Sequence, residues 1–260
     1  GVDEFHDVHH LTDREIAELC RSHEIDIAVD LKGYTQFSRL GIFSYRMAPV
    51  QISYLGYPGT TGASFMDYVI ADEVVIPEDQ RIHYSEQIIY LPPSYQVNDD
   101  ARTIAEKVPS RLEAGLPEEG FVFCCFNNNF KIGPREFDIW MRLLQQVNGS
   151  VLWLFSSSKA AEENLRKQTT LRKVDPRRVI FVQRMPHSEH LARHRLADLF
   201  LDTFNYNAHT TGSDALWAGL PVVTKAGEGF AARVGASLLL AIELPELVTT
   251  SESEYEQLAL

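Results

Sequence analysis

His209-Thr210-Thr211-Gly212 sits between an apolar run at residues 199–201 and a small-residue helix that opens at 209–214. A strand, a loop and a helix start leave backbone N–H groups free at the helix N-terminus, where the dipole favours an anion. Two hydroxyls and an imidazole beside those groups suit a diphosphate. An ordinary cap by Ser213 or Asp214 is the simpler reading, but a cap does not need His-Thr-Thr-Gly. Asn127-Asn128-Asn129-Phe130-Lys131 adds three amides and a cation. Lys131 at a helix start opposes the macrodipole unless an anion is present; the alternative is a solvated turn. His187, His190 and His194 share a helical face. No carboxylate or cysteine completes a metal set there and H-E-x-x-H is absent, so a histidine that stacks on or hydrogen-bonds a base fits better. His6, Asp7, His9 and His10 read as an exposed polar turn. Gly56, Gly59 and Gly62 are a weak phosphate-loop signal, because the spacing is not G-x-G-x-x-G and Pro58 interrupts it. A serine nucleophile elbow is absent, and Cys124-Cys125 lies in an apolar run.

The elements that must position these residues alternate. In the second half, strands are expected at 121–126, 151–155, 179–182, 199–201 and 222–224. Helices are expected at 134–146, 160–173, 188–194, 213–218 and 231–240, and a capping box at 251–254 starts a last one. This alternation predicts an α/β, doubly wound, Rossmann-like parallel sheet. Loops 127–131, 184–190, 205–211 and 225–229 all follow strands and should converge on one crevice. In the first half, a capping box at Thr12–Glu15 opens a helix, followed by strands at 25–31, 50–54, 68–71 and 87–91 and a short helix around 38–47. The Pro-rich stretch 92–118 reads as a boundary with a short helix at 101–107. The expected division is 1–100, a linker at 101–118, and 119–260.

The chain has 260 residues and a formal charge of −12. Residues 1–100 hold 6 Lys/Arg against 17 Asp/Glu, and the remainder 18 against 19. Neither half has the basic footprint of a nucleic-acid binder. No apolar run reaches membrane-spanning length and no signal peptide opens the chain. Three cysteines fit a reduced, cytoplasmic protein. A start at glycine and a stop inside a helix pattern suggest a fragment of a longer protein.

Specific stretches carry a family resemblance. They include Asp30-Leu31-Lys32-Gly33-Tyr34, Tyr54-Leu55-Gly56-Tyr57-Pro58-Gly59-Thr60-Thr61-Gly62-Ala63, Phe65-Met66-Asp67-Tyr68, Cys125-Phe126-Asn127-Asn128, Leu201-Asp202-Thr203, His209-Thr210-Thr211-Gly212 and Asp214-Ala215-Leu216-Trp217-Ala218-Gly219. In this order, over nearly the whole chain, they resemble the catalytic region of the O-linked N-acetylglucosamine (O-GlcNAc) transferases, in particular the bacterial homologues. The resemblance implies a GT-B fold, with two Rossmann-like domains facing across a cleft, the N-terminal one incomplete and the C-terminal one truncated. It implies inverting, metal-independent transfer of N-acetylglucosamine from UDP-GlcNAc to Ser/Thr hydroxyls of a protein or peptide acceptor. No cofactor is implied, and an upstream tetratricopeptide-repeat region is.

By the same resemblance, His209, Thr210 and Thr211 form the diphosphate cradle. Lys131, with His209, belongs to the catalytic set and stabilises the leaving UDP. Asn128 stands where the family commonly has Gln at the diphosphate. Asp214 contacts the ribose and His190 packs on the uracil. His187 replaces a Lys near the uridine, and Leu55 and Gly56 wall the N-acetyl group. The family's best-known candidate base lies upstream of residue 1, and a second active-site His aligns with Glu4, so no base is assigned and the isolated chain is expected to be inactive. Transfer from GDP-fucose or UDP-glucose is the alternative within the superfamily. A non-catalytic nucleotide- or protein-binding module is the alternative outside it.

Overall fold

Thr12 accepts the Glu15 amide at 3.3 Å while the Glu15 carboxylate accepts the Thr12 amide at 2.8 Å, so the first helix, α1 (Asp13–Ser22), starts at the expected capping box. The structure is a computed structural model that describes residues 2–260. It forms two compact units, which divide between Gln96 and Val97.

In the first unit, α1 is followed by β1 (Ile27–Asp30), β2 (Val50–Ser53), β3 (Tyr68–Ala71) and β4 (Gln87–Tyr90). These four form a parallel sheet in chain order, with Val29 opposite Ile52 and Val69 opposite Ile88. The short helix expected near 38–47 is a 3-10 turn, Leu40–Tyr45. In that geometry residues three apart eclipse, and this sends Leu40 and Phe43 together into a cluster with Ala28, Ala48 and Met66.

The loop after β2 is fixed at two points. Gly56 passes so close to β1 that a Cβ there would lie 2.1 Å from the Leu31 carbonyl oxygen. Glu86, buried just before β4, accepts hydrogen bonds from Thr60 Oγ1 at 2.6 Å, the Thr61 amide at 2.7 Å and the Thr61 hydroxyl. Burial alone would raise the Glu86 pKa, but these donors outweigh it and hold it below the usual value.

The second unit alternates strand and helix: β5 (Val122–Cys125), α2 (Pro134–Gln146), β6 (Val151–Phe155), α3 (Lys159–Leu171), β7 (Val179–Val182) and α4 (His187–Arg193). It continues with β8 (Leu199–Leu201), α5 (Thr210–Trp217), β9 (Val222–Lys225), α6 (Val234–Ala241), β10 (Val248–Thr249) and α7 (Glu252–Ala259). All strand pairs are parallel and the order is β10-β9-β8-β5-β6-β7. Counted from β7, this is the doubly wound 3-2-1-4-5-6 order. Each residue of β5 is buried, as its unbroken apolar run predicts for a strand covered on both faces. Phe123, Trp140, Trp153, Phe200 and Tyr255 fill the core. Tyr255 brings α7 onto the sheet and donates its hydroxyl to the Asp202 carbonyl at 3.0 Å.

The stretch 101–118, expected as a linker with a short helix, contains no helix and packs on the second unit. Leu116 joins the core, and Arg102 pairs with Asp214 at 2.7 Å. Its prolines suppress regular structure, but its anchors are tertiary. β10, a two-residue edge strand, is too short to register in the sequence pattern. Among the described residues, no helix is long and apolar enough to cross a membrane.

Candidate functional site

The sheet order reverses between β5 and β8, because β5 leads outward to β6 and β7 while β8 leads to β9 and β10. Ligands of such sheets bind outside the carboxyl ends of the strands at this switch point. Asn127 follows β5, and Asp202 and Thr203 follow β8. Asn127 Nδ2 donates to Thr203 Oγ1 at 2.8 Å, and Thr211 donates its hydroxyl to Asn127 Oδ1. The Asp202 carboxylate accepts from the Ala208 amide at 2.6 Å, the Thr224 hydroxyl at 2.7 Å and the Thr203 amide at 2.8 Å. The turn from β8 to α5 is thus wound around a buried carboxylate. Burial pushes the Asp202 pKa up to about 6, against the pull of these donors and of Lys131.

Lys131 ends the 3-10 turn Asn129–Lys131. Its Nζ donates to the Asn207 carbonyl at 2.9 Å and lies 4.1 Å from the centre of the Tyr206 ring. Burial lowers its pKa to about 8, partly countered by Asp202. His209 stacks on the other partner of this cluster, with its ring 4.7 Å from that of Tyr206 and tilted by 25°. His209 Nε2 lies 3.2 Å from the Ala231 carbonyl oxygen, which can only accept. Nε2 therefore carries the proton, and in the neutral ring Nδ1 is an acceptor. Burial, and then the charge of Lys131, lowers the His209 pKa to about 3, so the ring is neutral at physiological pH.

His209 is the N-cap of α5, and its side chain does not cap the helix. The first amides of α5, from Thr210 onward, have no partner within the helix. The 3-10 turn Phe230–Ala232, which follows loop 225–229, approaches the same place through Ala231, whose carbonyl also accepts the Asn207 amide at 2.8 Å.

Beside this helix start lies a cavity of about 330 Å³ lined by Phe126, Asn128, Phe155, Arg184, Met185, His187, His190, Arg193 and Thr211. The His190 ring packs on Phe126 at 5.5 Å and on His194 at 4.6 Å, and its buried Nδ1 has no hydrogen-bond partner among the described residues. Burial, with Arg193 next, lowers the His190 pKa to about 3. A neutral ring on an apolar wall is suited to a nucleobase. Asn128 also borders a second cavity of about 400 Å³ with Ser156, Ser157, Gln183 and Arg184. His187 Nε2 is 3.3 Å from Asp214 Oδ1. The same oxygen accepts from Arg102 Nη1, and the Asp214 side chain is only 6% exposed.

Lys131, Asn128, His187, His190, His209, Thr210, Thr211 and Asp214 therefore all lie on the β5, β7 and β8 exits of the second unit. Leu55 and Gly56 belong to the first unit, in the loop after β2. Sequence reasoning missed Asp202, Asn207 and Arg102, and it offered Asn127 as a loop amide without its buried partners Thr203 and Thr211. The one available signal was that a buried carboxylate at a strand end needs donors, and Asp202 heads the very segment that supplies them.

Comparison with known proteins agrees with this geometry. The profile of glycosyl transferase family 41 matches residues 1–108 and 101–260. The chain is 39% identical over its whole length to an Arabidopsis thaliana protein named probable UDP-N-acetylglucosamine–peptide N-acetylglucosaminyltransferase SEC, and covers 27% of it. It is 34% identical, over 98% of its length, to the Arabidopsis thaliana protein of the same kind named SPINDLY, and covers 28% of that protein. The chain thus spans little more than a quarter of these relatives. A solved mutant of the Thermobaculum terrenum O-GlcNAc transferase superposes on 99% of the chain with a TM-score of 0.89 at 34% identity, and the chain covers 49% of that structure. That likeness bears out the expected α/β, GT-B fold class. With both units matched by one profile, and with the switch-point crevice in the unit that carries the His-Thr-Thr-Gly segment, the chain belongs to glycosyl transferase family 41.

Proposed function

We propose that this chain carries the donor side of a protein O-GlcNAc transferase, which moves N-acetylglucosamine from UDP-GlcNAc to Ser or Thr hydroxyls. The observation that carries this reading is the pairing of an uncapped helix start at Thr210 with a half-buried cation, Lys131, tied to the turn that precedes it. The names of the relatives supply the sugar and the acceptor class.

In an inverting transfer the acceptor hydroxyl attacks the anomeric carbon and loses its proton. The bond from that carbon to the β-phosphate oxygen breaks, and its electron pair leaves with UDP. Negative charge therefore grows on the diphosphate. Amides of α5, the Thr210 hydroxyl and the Lys131 ammonium stabilise that charge, in surroundings dry enough to strengthen the attraction, and Thr211 turns its hydroxyl from Asn127 to the diphosphate when the donor binds. Asp202 acts at one remove: it holds the turn that presents Asn207 to Lys131 and Ala208 to α5. Neutral His209 supplies shape and an Nδ1 acceptor. His190 and Phe126 take the base, and His187 and Asp214 face the ribose. An upstream repeat region that presents the acceptor and a cytoplasmic site of action belong to the same proposal.

A GDP-linked donor is the second reading, because the cavity at Ser156, Ser157 and Arg184 leaves room beyond a pyrimidine. The test is glycosyl transfer to acceptor peptides by the full-length protein, with UDP-GlcNAc, UDP-glucose and GDP-fucose compared. Transfer from UDP-GlcNAc alone supports the first reading, and transfer from GDP-fucose alone replaces it with the second. Binding without turnover of any donor makes the protein a binding module.

A further inference from the structure

The first unit contains a side-chain cluster that sequence spacing does not group. His6, Asp7, His9 and His10 are neighbours in the chain, but the fold separates them. Asp7 Oδ1 pairs with His9 Nδ1 at 2.7 Å, and the His9 ring lies against His10. His6 instead meets His23, the residue that closes the C-terminal end of α1, with ring centres 4.8 Å apart and planes at 61°. Glu4 joins them: its Oε2 lies 3.3 Å from His6 Nε2 and 4.0 Å from His23 Nδ1. One donor atom from each of the three residues lies within 4.8 Å of the other two.

We propose that Glu4, His6 and His23 form a binding site for a divalent transition-metal ion, with Zn²⁺ as the ion of choice. Two imidazole nitrogens and a carboxylate oxygen are a zinc-type donor set and a poor one for Mg²⁺ or Ca²⁺, which prefer oxygen alone. Around a tetrahedral centre with bonds of about 2.0–2.2 Å, neighbouring donors stand roughly 3.3–3.6 Å apart. The separations to Glu4 need only small side-chain rotations to reach that spacing. The electrostatics favour a cation. Glu4 is acidic, the C-terminal end of α1 carries the negative pole of its dipole, and the first 100 residues hold 17 acidic against 6 basic side chains. Arg21, the nearby cation of the last turn, is directed elsewhere, with its Nη1 donating to the Tyr45 and Arg46 carbonyls. All three ligands are solvent-exposed, so water completes the coordination. The ion would clip the segment ahead of Thr12 to the far end of α1.

The test is zinc competition against a chromophoric chelator on the 260-residue chain. The wild type should take up one equivalent. His6→Ala, His23→Ala and Glu4→Gln should each weaken uptake by at least the ~10-fold that loss of even an outer-shell partner costs. The double variant His9→Ala/His10→Ala should bind as the wild type does, and Mg²⁺ should not compete. A readout on the wild type alone avoids any folding effect of the variants: zinc should slow amide hydrogen exchange around residues 4–6 and 23. Equal uptake by His23→Ala and the wild type, loss of uptake only in the His9→Ala/His10→Ala variant, or unchanged exchange with zinc would overturn the site.

Discussion

Lys131 has to be charged to do what is proposed for it, and its surroundings make that charge depend on pH within the working range. Its pKa is held down to about 8 by burial, below the 10.5 of a free lysine. A bound diphosphate favours the ammonium, so above pH 8 binding must take up a proton. UDP affinity should be nearly flat from pH 6.5 to 7.5 and then fall by up to about tenfold per pH unit above pH 8. Calorimetry at several pH values checks this, and Lys131→Met should abolish the high-pH fall. His209 and His190, held at about 3, should contribute no step between pH 5 and 7. Asp202 is the residue whose role is most strictly structural. Asp202→Ala leaves the buried Thr203 and Ala208 amides without their acceptor and should cost at least about 2 kcal/mol of stability in urea denaturation.

At the scale of elements, the strands and helices of the second unit other than β10 were legible because their apolar runs are unbroken, as in β5, and because α2 and α7 carry clear start signals. The helix that opens after His209 stood out as a candidate ligand site because His-Thr-Thr-Gly is more than a cap requires. The roles of Asp202 and Asn207 and the partners of Asn127 were not legible, since those partners lie on different loops and only the closed sheet brings them together. Arg102 was hidden for a related reason: a Pro-rich stretch reads as a linker whether or not one of its side chains is buried. Its ion pair with Asp214 is nearly solvent-free, at 10% and 6% exposure, so Arg102→Ala leaves the buried carboxylate only the 3.3 Å contact with His187 and should cost about 3 kcal/mol. In the first unit, Gly56→Ala places a methyl group against the Leu31 carbonyl. It should destabilise that unit by more than about 1 kcal/mol, read as a lowered melting temperature.

For the molecule as a whole, acid stability should follow its buried imidazoles. His190, His194 and His209 have pKa values lowered to about 3, 4 and 3 by burial, so the unfolded chain binds protons that the folded chain refuses. The second unit should therefore lose stability progressively as the pH falls below about 6.5, the ordinary histidine value. Asp202 works the other way between about pH 6 and 4, because its raised pKa lets the folded state hold a proton more readily. Three imidazoles outweigh one carboxyl, and thermal melts between pH 7 and 5 should show a net fall.

The central claim is that the start of α5 and Lys131 together bind a nucleoside diphosphate. Titration calorimetry of UDP against the wild type, Lys131→Ala and Thr211→Val tests it directly. UDP should bind the wild type and bind Lys131→Ala at least about tenfold more weakly, as expected for loss of a charge-assisted contact. Thr211→Val should fall between the two. UDP binding of equal strength to all three folded proteins would contradict it and place the diphosphate elsewhere.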